Sequence, residues 1–341
     1  MRIGKVVSSP VKGKGESCDE YDHDVSLDWS QLTMAIAHMR RRDKEPVVFE
    51  RRSDLAAFKD YLKTLRGTIM LTFEETTPAH WLYLELRDCV TRILVCNPYT
   101  NSLLSAGPKT DKIDAAKLCL LLRAGLLQEV FHCDDALYDL RLMVSAYTDL
   151  IQASVRALNQ RSAIFRGHCG EAPHAAFILQ HLDQAIALSR TSRTQYKAQF
   201  QEFCAHNLHA KRLLEVDGIN IIGAVKILAI VVDARRFPRP GKYHSYCGLV
   251  KLEKSSGGRN YGRRKPQYSR SLKAVYKIAA LAAIRGNNPI HEYYDELLRR
   301  GVAPHHARHQ IARYIATVTY GILKTGTPYD PYRWRNNITV A

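Results

Sequence analysis

The chain has 341 residues, with 50 lysines and arginines against 33 aspartates and glutamates, for a net charge of +17. That length calls for two or three domains with their own cores, and that charge points to nucleic acid far more than to a small acidic substrate. The longest apolar stretch, 219–232, carries Asn220 and Lys226 and is too short to span a bilayer, so no membrane role is expected; the eight scattered cysteines form no Cys-x-x-Cys pair, which fits reduced thiols in a cytoplasmic protein.

Residues 1–22 contain Gly, Ser and Lys without an apolar core, and read as a disordered basic tail rather than a secretory signal. From 23 to about 130 short strands alternate with helices. Val25 to Trp29, Leu32 to Met39 and Val47 to Arg51 read as three strands joined by short turns, after which Ser53 can cap an amphipathic helix running through Leu65. Ile69 to Phe73 reads as a fourth strand, a helix opens at Pro78, Arg92 to Cys96 is a fifth strand closed by Asn97-Pro98, and a late helix runs from near Asp111 to Gly125. This is the strand and helix order of the ribonuclease H architecture.

In such a sheet an acid on the first strand, one at the end of the fourth and two on the late helix converge at one end. Asp24, Glu74, Asp111 and Asp114 occupy those positions, the last two sharing a helical face. Clustered carboxylates are hard oxygen ligands suited to Mg²⁺, and two such ions can stabilise both oxygens of a phosphoryl displacement. Each acid also has a plain structural reading, Asp111 as a helix cap and Glu74 as a strand-end surface acid.

Residues 131–211 are helical in pattern, with Leu140, Val144, Tyr147, Ile151, Val155 and Leu158 at three- and four-residue spacing. They read as a long antiparallel hairpin, either a coiled-coil arm that dimerises or a solvated spacer. From 212 to 330 a second domain opens on Leu213 to Ile219 followed by Gly223, a helix-hairpin-helix layout whose glycine turn can offer N–H groups to a phosphate. Arg235 to Arg285 follows as a strongly basic run. Lys251, Lys254, Arg259, Arg263, Arg264, Lys265, Arg270 and Lys273 are its candidate nucleic-acid contacts, with Phe237, Tyr243, Tyr246, Tyr261 and Tyr268 interleaved as stacking faces. At its middle, Ser255-Ser256-Gly257-Gly258 reads as a turn in which a hydroxyl stands beside backbone able to approach phosphate closely. His305, His306 and His309 lie among arginines on a late helix and read as a basic face rather than a metal site, and 331–341 reads as a tail.

Taken together, Glu74 with Thr76 and Pro78, Val95 to Pro98, the run Lys109 to Ala115, Val216 to Ile219, Tyr246 to Val250 and Ser255 to Gly258 resemble the insertion sequence 110 family of transposases, over nearly everything from 23 to 330. The resemblance implies a fold of class α/β plus α: an N-terminal RuvC-like, ribonuclease H-type domain, a helical coiled-coil arm and a mostly helical C-terminal transposase domain. It implies that Asp24, Glu74, Asp111 and Asp114 bind Mg²⁺, with Asp22 and Asp28 as alternatives to Asp24 because the segment around it is polar. It also implies that Ser256, with Ser255 as alternative, is a covalent nucleophile forming a 5′-phosphoserine, the metal site of one subunit working with the serine of another. The partners implied are donor and target DNA, a structured bridge RNA as guide and a homo-oligomer, dimer or tetramer, associated with the bacterial nucleoid. Neither a nucleotide cofactor nor a Walker motif is expected. A Mg²⁺-dependent junction-resolving nuclease, a site-specific invertase and a nucleic-acid-binding protein without activity are the competing readings.

Overall fold

The computed structural model describes residues 21–98, 110–133, 137–250, 252–257, 259–264 and 268–338, with the backbone alone for 252–256, 260, 261, 263, 264 and 336–338. Lys109, Lys251, Gly258, Lys265 and most of the expected N-terminal tail lie outside the described residues, as do the side chains of Lys254, Ser255, Ser256, Tyr261, Arg263 and Arg264. The chain forms two compact units, one ending at Asp134 and one beginning at Asp135.

The first unit is built on a mixed sheet of β1 (His23–Trp29), β2 (Thr33–Arg40), β3 (Val47–Arg52), β4 (Ile69–Glu74) and β5 (Arg92–Cys96), in the order β3-β2-β1-β4-β5. The β1–β2 and β2–β3 pairs are antiparallel, whereas β1–β4 and β4–β5 are parallel. Helices α1 (Leu55–Thr64) and α2 (Ala79–Leu86) cover one face through Phe58, Leu62, Leu82 and Leu86, which meet Val25, Leu27, Leu71 and Phe73. Helix α3 (Asp111–Arg123) covers the other, where Ala35, Ala37, Ala115 and Cys119 form one small-residue cluster that permits close approach. The α1 cap differs from expectation by one residue. Asp54 accepts the Ala57 N–H, while the Ser53 hydroxyl donates to the Ser30 carbonyl at 2.7 Å. At α3 the cap is Thr110, accepting from Ile113 N–H, which leaves Asp111 uncommitted to capping.

The second unit begins with α4 (Tyr138–Arg166) and α5 (Ala175–His206), which pair as a hairpin. Its root belongs to the second core: Leu140, Val144 and Tyr147 pack with Phe200 and with residues of α7 (Ile221–Val231). Between them lies α6 (Leu208–Leu214), and beyond α7 come a 3-10 turn at 234–236 and α8 (Pro240–Tyr246). A hairpin of β6 (Leu252–Ser256) and β7 (Arg259–Arg264) follows, then α9 (Arg270–Ala283), α10 (Pro289–Arg299), α11 (Pro304–Thr325) and α12 (Arg333–Ile338).

Three expectations for this unit need correction. Phe237 and Tyr243 are not stacking faces of a groove. Tyr243 is fully buried, its hydroxyl bonded to that of Tyr276, which also reaches Thr319 at 2.9 Å, and Phe237 packs edge-on against it. The Val216–Ile219 turn is also not offered to a phosphate: Gly218 has φ +87°, and a Cβ there would meet the Ala279 carbonyl oxygen at 2.1 Å, so the turn is pressed onto α9. The C-terminal stretch is not a bare tail either, since α12 seats Trp334 against the Tyr293 ring at 5.3 Å. Among the described residues no helix is long and apolar enough to cross a membrane.

Candidate functional site

Side chains alternate across a strand, so Asp24, Ser26 and Asp28 of β1 share the face beneath α3. The Ser26 hydroxyl donates to the Ala115 carbonyl at 2.6 Å, and this contact fixes how α3 lies along the strand. The end of α3 carrying Arg123 lies over Asp24, and the first turn, carrying Asp111 and Asp114, lies toward Asp28. Ser26 pairs with Thr72 in parallel register, which puts Asp28 level with Glu74 on the neighbouring strand.

The three candidate first aspartates therefore have different employment. Asp22 accepts from the backbone and the hydroxyl of Thr68 at 2.9 and 3.0 Å, which holds its carboxyl below the usual range and ties the strand entry to the turn at Gly67. Asp24 is buried and receives the Arg123 Nε at 2.7 Å, while the same guanidinium donates to the Asp43 and Arg40 carbonyls at 2.6 and 2.8 Å. Asp28 lies about 13 Å further along β1. It is half-buried, and its carboxyl is pushed up to about 6 by burial first, then by the negative charges of Asp111, Glu74 and Asp114. The expected set is thus corrected at its first member. Glu74, Asp111 and Asp114 come together with Asp28, whereas Asp24 stands at the opposite end of α3 in an ion pair.

Asp28, Glu74, Asp111 and Asp114 are oxygen donors that repel one another, and one buried oxygen of Asp114, Oδ1, has no hydrogen-bond partner. Such a set suits a hard divalent cation. Among the described residues no three of these groups already stand close enough to enclose an ion. The neighbouring Glu75 is kept out of the set by His132, whose Nε2 pairs with its Oε2 and whose ring lies against those of His80 and Tyr83. Sequence reasoning had no means of finding His132, which lies in an aperiodic segment far along the chain.

In the second unit, Ser255 and Ser256 are the last residues of β6 rather than part of a loose turn. Ser256 pairs with Arg259, and Gly257 beyond it is exposed with φ +56°. The register slips between Glu253 and Ser255, and Gly262 opposite has φ +100°, the signature of a bulge that twists the hairpin. Of the expected cationic contacts, Arg259 and Arg270 are exposed, and Lys273 stands 4.6 Å from the Tyr268 ring centroid.

Comparison with known proteins follows this division. Residues 210–295 match the profile described as transposase IS116/IS110/IS902 family, and residues 25–169 match a transposase profile of the IS110 type named for its Asp-Glu-Asp-Asp set. A Streptomyces coelicolor protein described as "Insertion element IS110 uncharacterized 43.6 kDa protein" is 26% identical over 154 residues, 45% of this chain and 38% of its own. A Sinorhizobium fredii protein described as "Putative transposase y4qE" is 28% identical over 205 residues, 55% of this chain and 52% of its own. The chain thus spans about half or less of the length of these relatives. With both profiles in order along the chain, one over the acid-bearing unit and one over the serine hairpin, it belongs to the IS110 family of transposases.

Proposed function

We propose that the protein is a DNA recombinase that cuts and rejoins strands through a serine nucleophile, with Mg²⁺ held by Asp28, Glu74, Asp111 and Asp114. The observation that carries this reading is the convergence of those four acids at one end of the sheet. Bound there, Mg²⁺ would neutralise charge developing on phosphate oxygens. The hairpin contributes the other half of the chemistry. The backbone of Ser256 ends β6 next to Gly257, which is exposed with φ +56°, so the serine belongs to the tip of the hairpin. Its oxygen forms a bond to phosphorus as the bond from phosphorus to the 3′-oxygen breaks. The serine proton leaves to a base and the 3′-oxygen takes one up. The resulting phosphoserine conserves the ester for religation, and no nucleotide hydrolysis is needed.

The reading extends to a structured guide RNA that pairs with donor and target DNA, and to a dimer or tetramer. The net charge of +17 is consistent with a chain binding RNA and DNA together. A metal-only nuclease or an invertase without covalent serine chemistry is the alternative, favoured if the acids alone act. Incubating the protein with guide RNA, end-labelled DNA from its own element boundary and Mg²⁺ separates the two on a denaturing gel. A protein-linked DNA band present in the wild type and absent in Ser256→Ala is the expected result. Free cleaved ends in equal amount from both proteins would overturn the serine mechanism.

A further inference from the structure

A cavity of about 440 Å³ opens at the root of the hairpin, within the range of small-molecule sites. Leu249, Ala280 and Leu281 contribute apolar surface, and Lys273, Lys277 and Arg308 bring positive charge, while among the described residues no acid lines it. The first turn of α11 forms part of the wall. This helix has 22 residues and no side-chain cap, so the positive end of its dipole adds to the same field.

The cavity is tied rigidly to the serine-bearing strands. Gly248 has φ +65°, and a Cβ there would sit 2.4 Å from the Tyr268 ring, so the ring is seated directly on the backbone of Gly248. Ser269 N–H donates to the Tyr246 carbonyl at 2.8 Å. Val250 leads into β6 and Tyr268 follows β7, so both feet of the hairpin stand in the cavity wall. From there β6 reaches roughly 17 Å to Ser256.

We infer that this cavity holds one unstacked nucleotide of the strand presented to Ser256, with its base on the apolar floor beside Tyr268 and its phosphate among Lys277, Arg308 and the start of α11. A free phosphate would have no use for the apolar floor, and an apolar ligand none for the cations. A planar base joined to an anion uses both. The inference deepens the recombinase reading and rests on it for the identity of the strand, while the nucleotide chemistry could come from DNA or from guide RNA.

The test uses the full-length protein and fluorescein-labelled oligo-dT, oligo-U and a short duplex, with anisotropy as the readout. Lys277 and Arg308 are exposed, so their glutamine variants keep the fold, checked by circular dichroism. Lys277→Gln with Arg308→Gln, or Leu281→Trp to fill the cavity, is expected to weaken single-strand binding tenfold or more and duplex binding less than twofold. The strand losing more, DNA or RNA, identifies the source. A 5-iodouracil oligonucleotide should crosslink to Tyr268. Equal losses on single strand and duplex, a crosslink elsewhere, or selective loss of an acidic peptide instead would overturn the inference. The covalent adduct at Ser256 is read separately, on the denaturing gel. Cavity-dependent binding without any covalent adduct would therefore sink the recombinase reading alone, and an intact adduct with cavity-independent binding would sink this inference alone.

Discussion

Asp24 and Asp28 lie on one face of one strand, and their neighbours assign them opposite work. Asp24→Asn removes the charge opposing a guanidinium that is itself largely buried, so it should cost on the order of 3 kcal/mol in urea denaturation while activity per folded molecule persists. Asp28→Asn should do the reverse, reducing Mg²⁺-dependent cleavage on the order of a hundredfold or more while relieving repulsion among the acids and leaving stability equal or higher. A loss of cleavage in the folded Asp24 variant equal to that of Asp28 would refute the assignment. His244 offers a separate test. It is buried on α8, its Nε2 bonded to Thr317 at 2.9 Å, and burial first, then the charge of Arg313, pushes it down to about 4. Because the unfolded imidazole takes its proton near 6.5 and the folded one does not, stability is complete above pH 6.5 and falls as the pH drops toward 4, by roughly 2 to 3 kcal/mol. Thermal melts across that window should be flatter for His244→Gln, and identical slopes would remove His244 as the cause.

At the scale of elements, the arm carries a testable surface. The root of α4 is buried, but Val155, Leu158, Phe165, Phe177 and Leu188 further out are exposed. In the proposed dimer or tetramer a second copy would cover them, so Leu158→Arg with Leu188→Arg should give a monomer in light scattering where the wild type gives an oligomer. A wild type already monomeric with RNA bound would count against the arm as the interface. The strands and long helices were legible in the sequence because burial stamps a period on them. Val25 and Leu27 alternate with Asp24, Ser26 and Asp28, and Leu140, Val144 and Tyr147 return every turn. The β6–β7 hairpin was not legible. Its strands, Leu252–Ser256 and Arg259–Arg264, hold few apolar residues, so no alternation marks them and only the glycine pair hints at a turn. The choice among Asp22, Asp24 and Asp28 was equally hidden, since it depends on how α3 lies along β1, a contact between residues 89 apart. Phe237 and Tyr243 misled for the opposite reason. Cations flank them in sequence, yet the rings are buried, and Arg236 is itself half-buried and stacks on Phe237 at 4.6 Å.

For the whole molecule, the +17 charge makes salt the main control of binding. Duplex affinity should fall on the order of a thousandfold between 50 and 200 mM salt if six or more phosphates are neutralised. Replacing the exposed Arg259 and Arg270 by glutamine should lower the slope of log affinity against log salt by about two, without changing sequence preference. An unchanged slope would place the DNA elsewhere.

The sheet also sets an order of assembly during synthesis. β1 can pair with β2 as soon as both emerge, but its other edge waits for β4, 46 residues later, and the face bearing Asp28 waits for α3, 89 residues later. Non-local pairings of this kind close last. In a nascent chain the acids therefore stay apart until α3 has emerged and docked. A half-made chain would thus lack the assembled acid set on which the proposed cleavage depends, so no cutting could precede completion of the first unit.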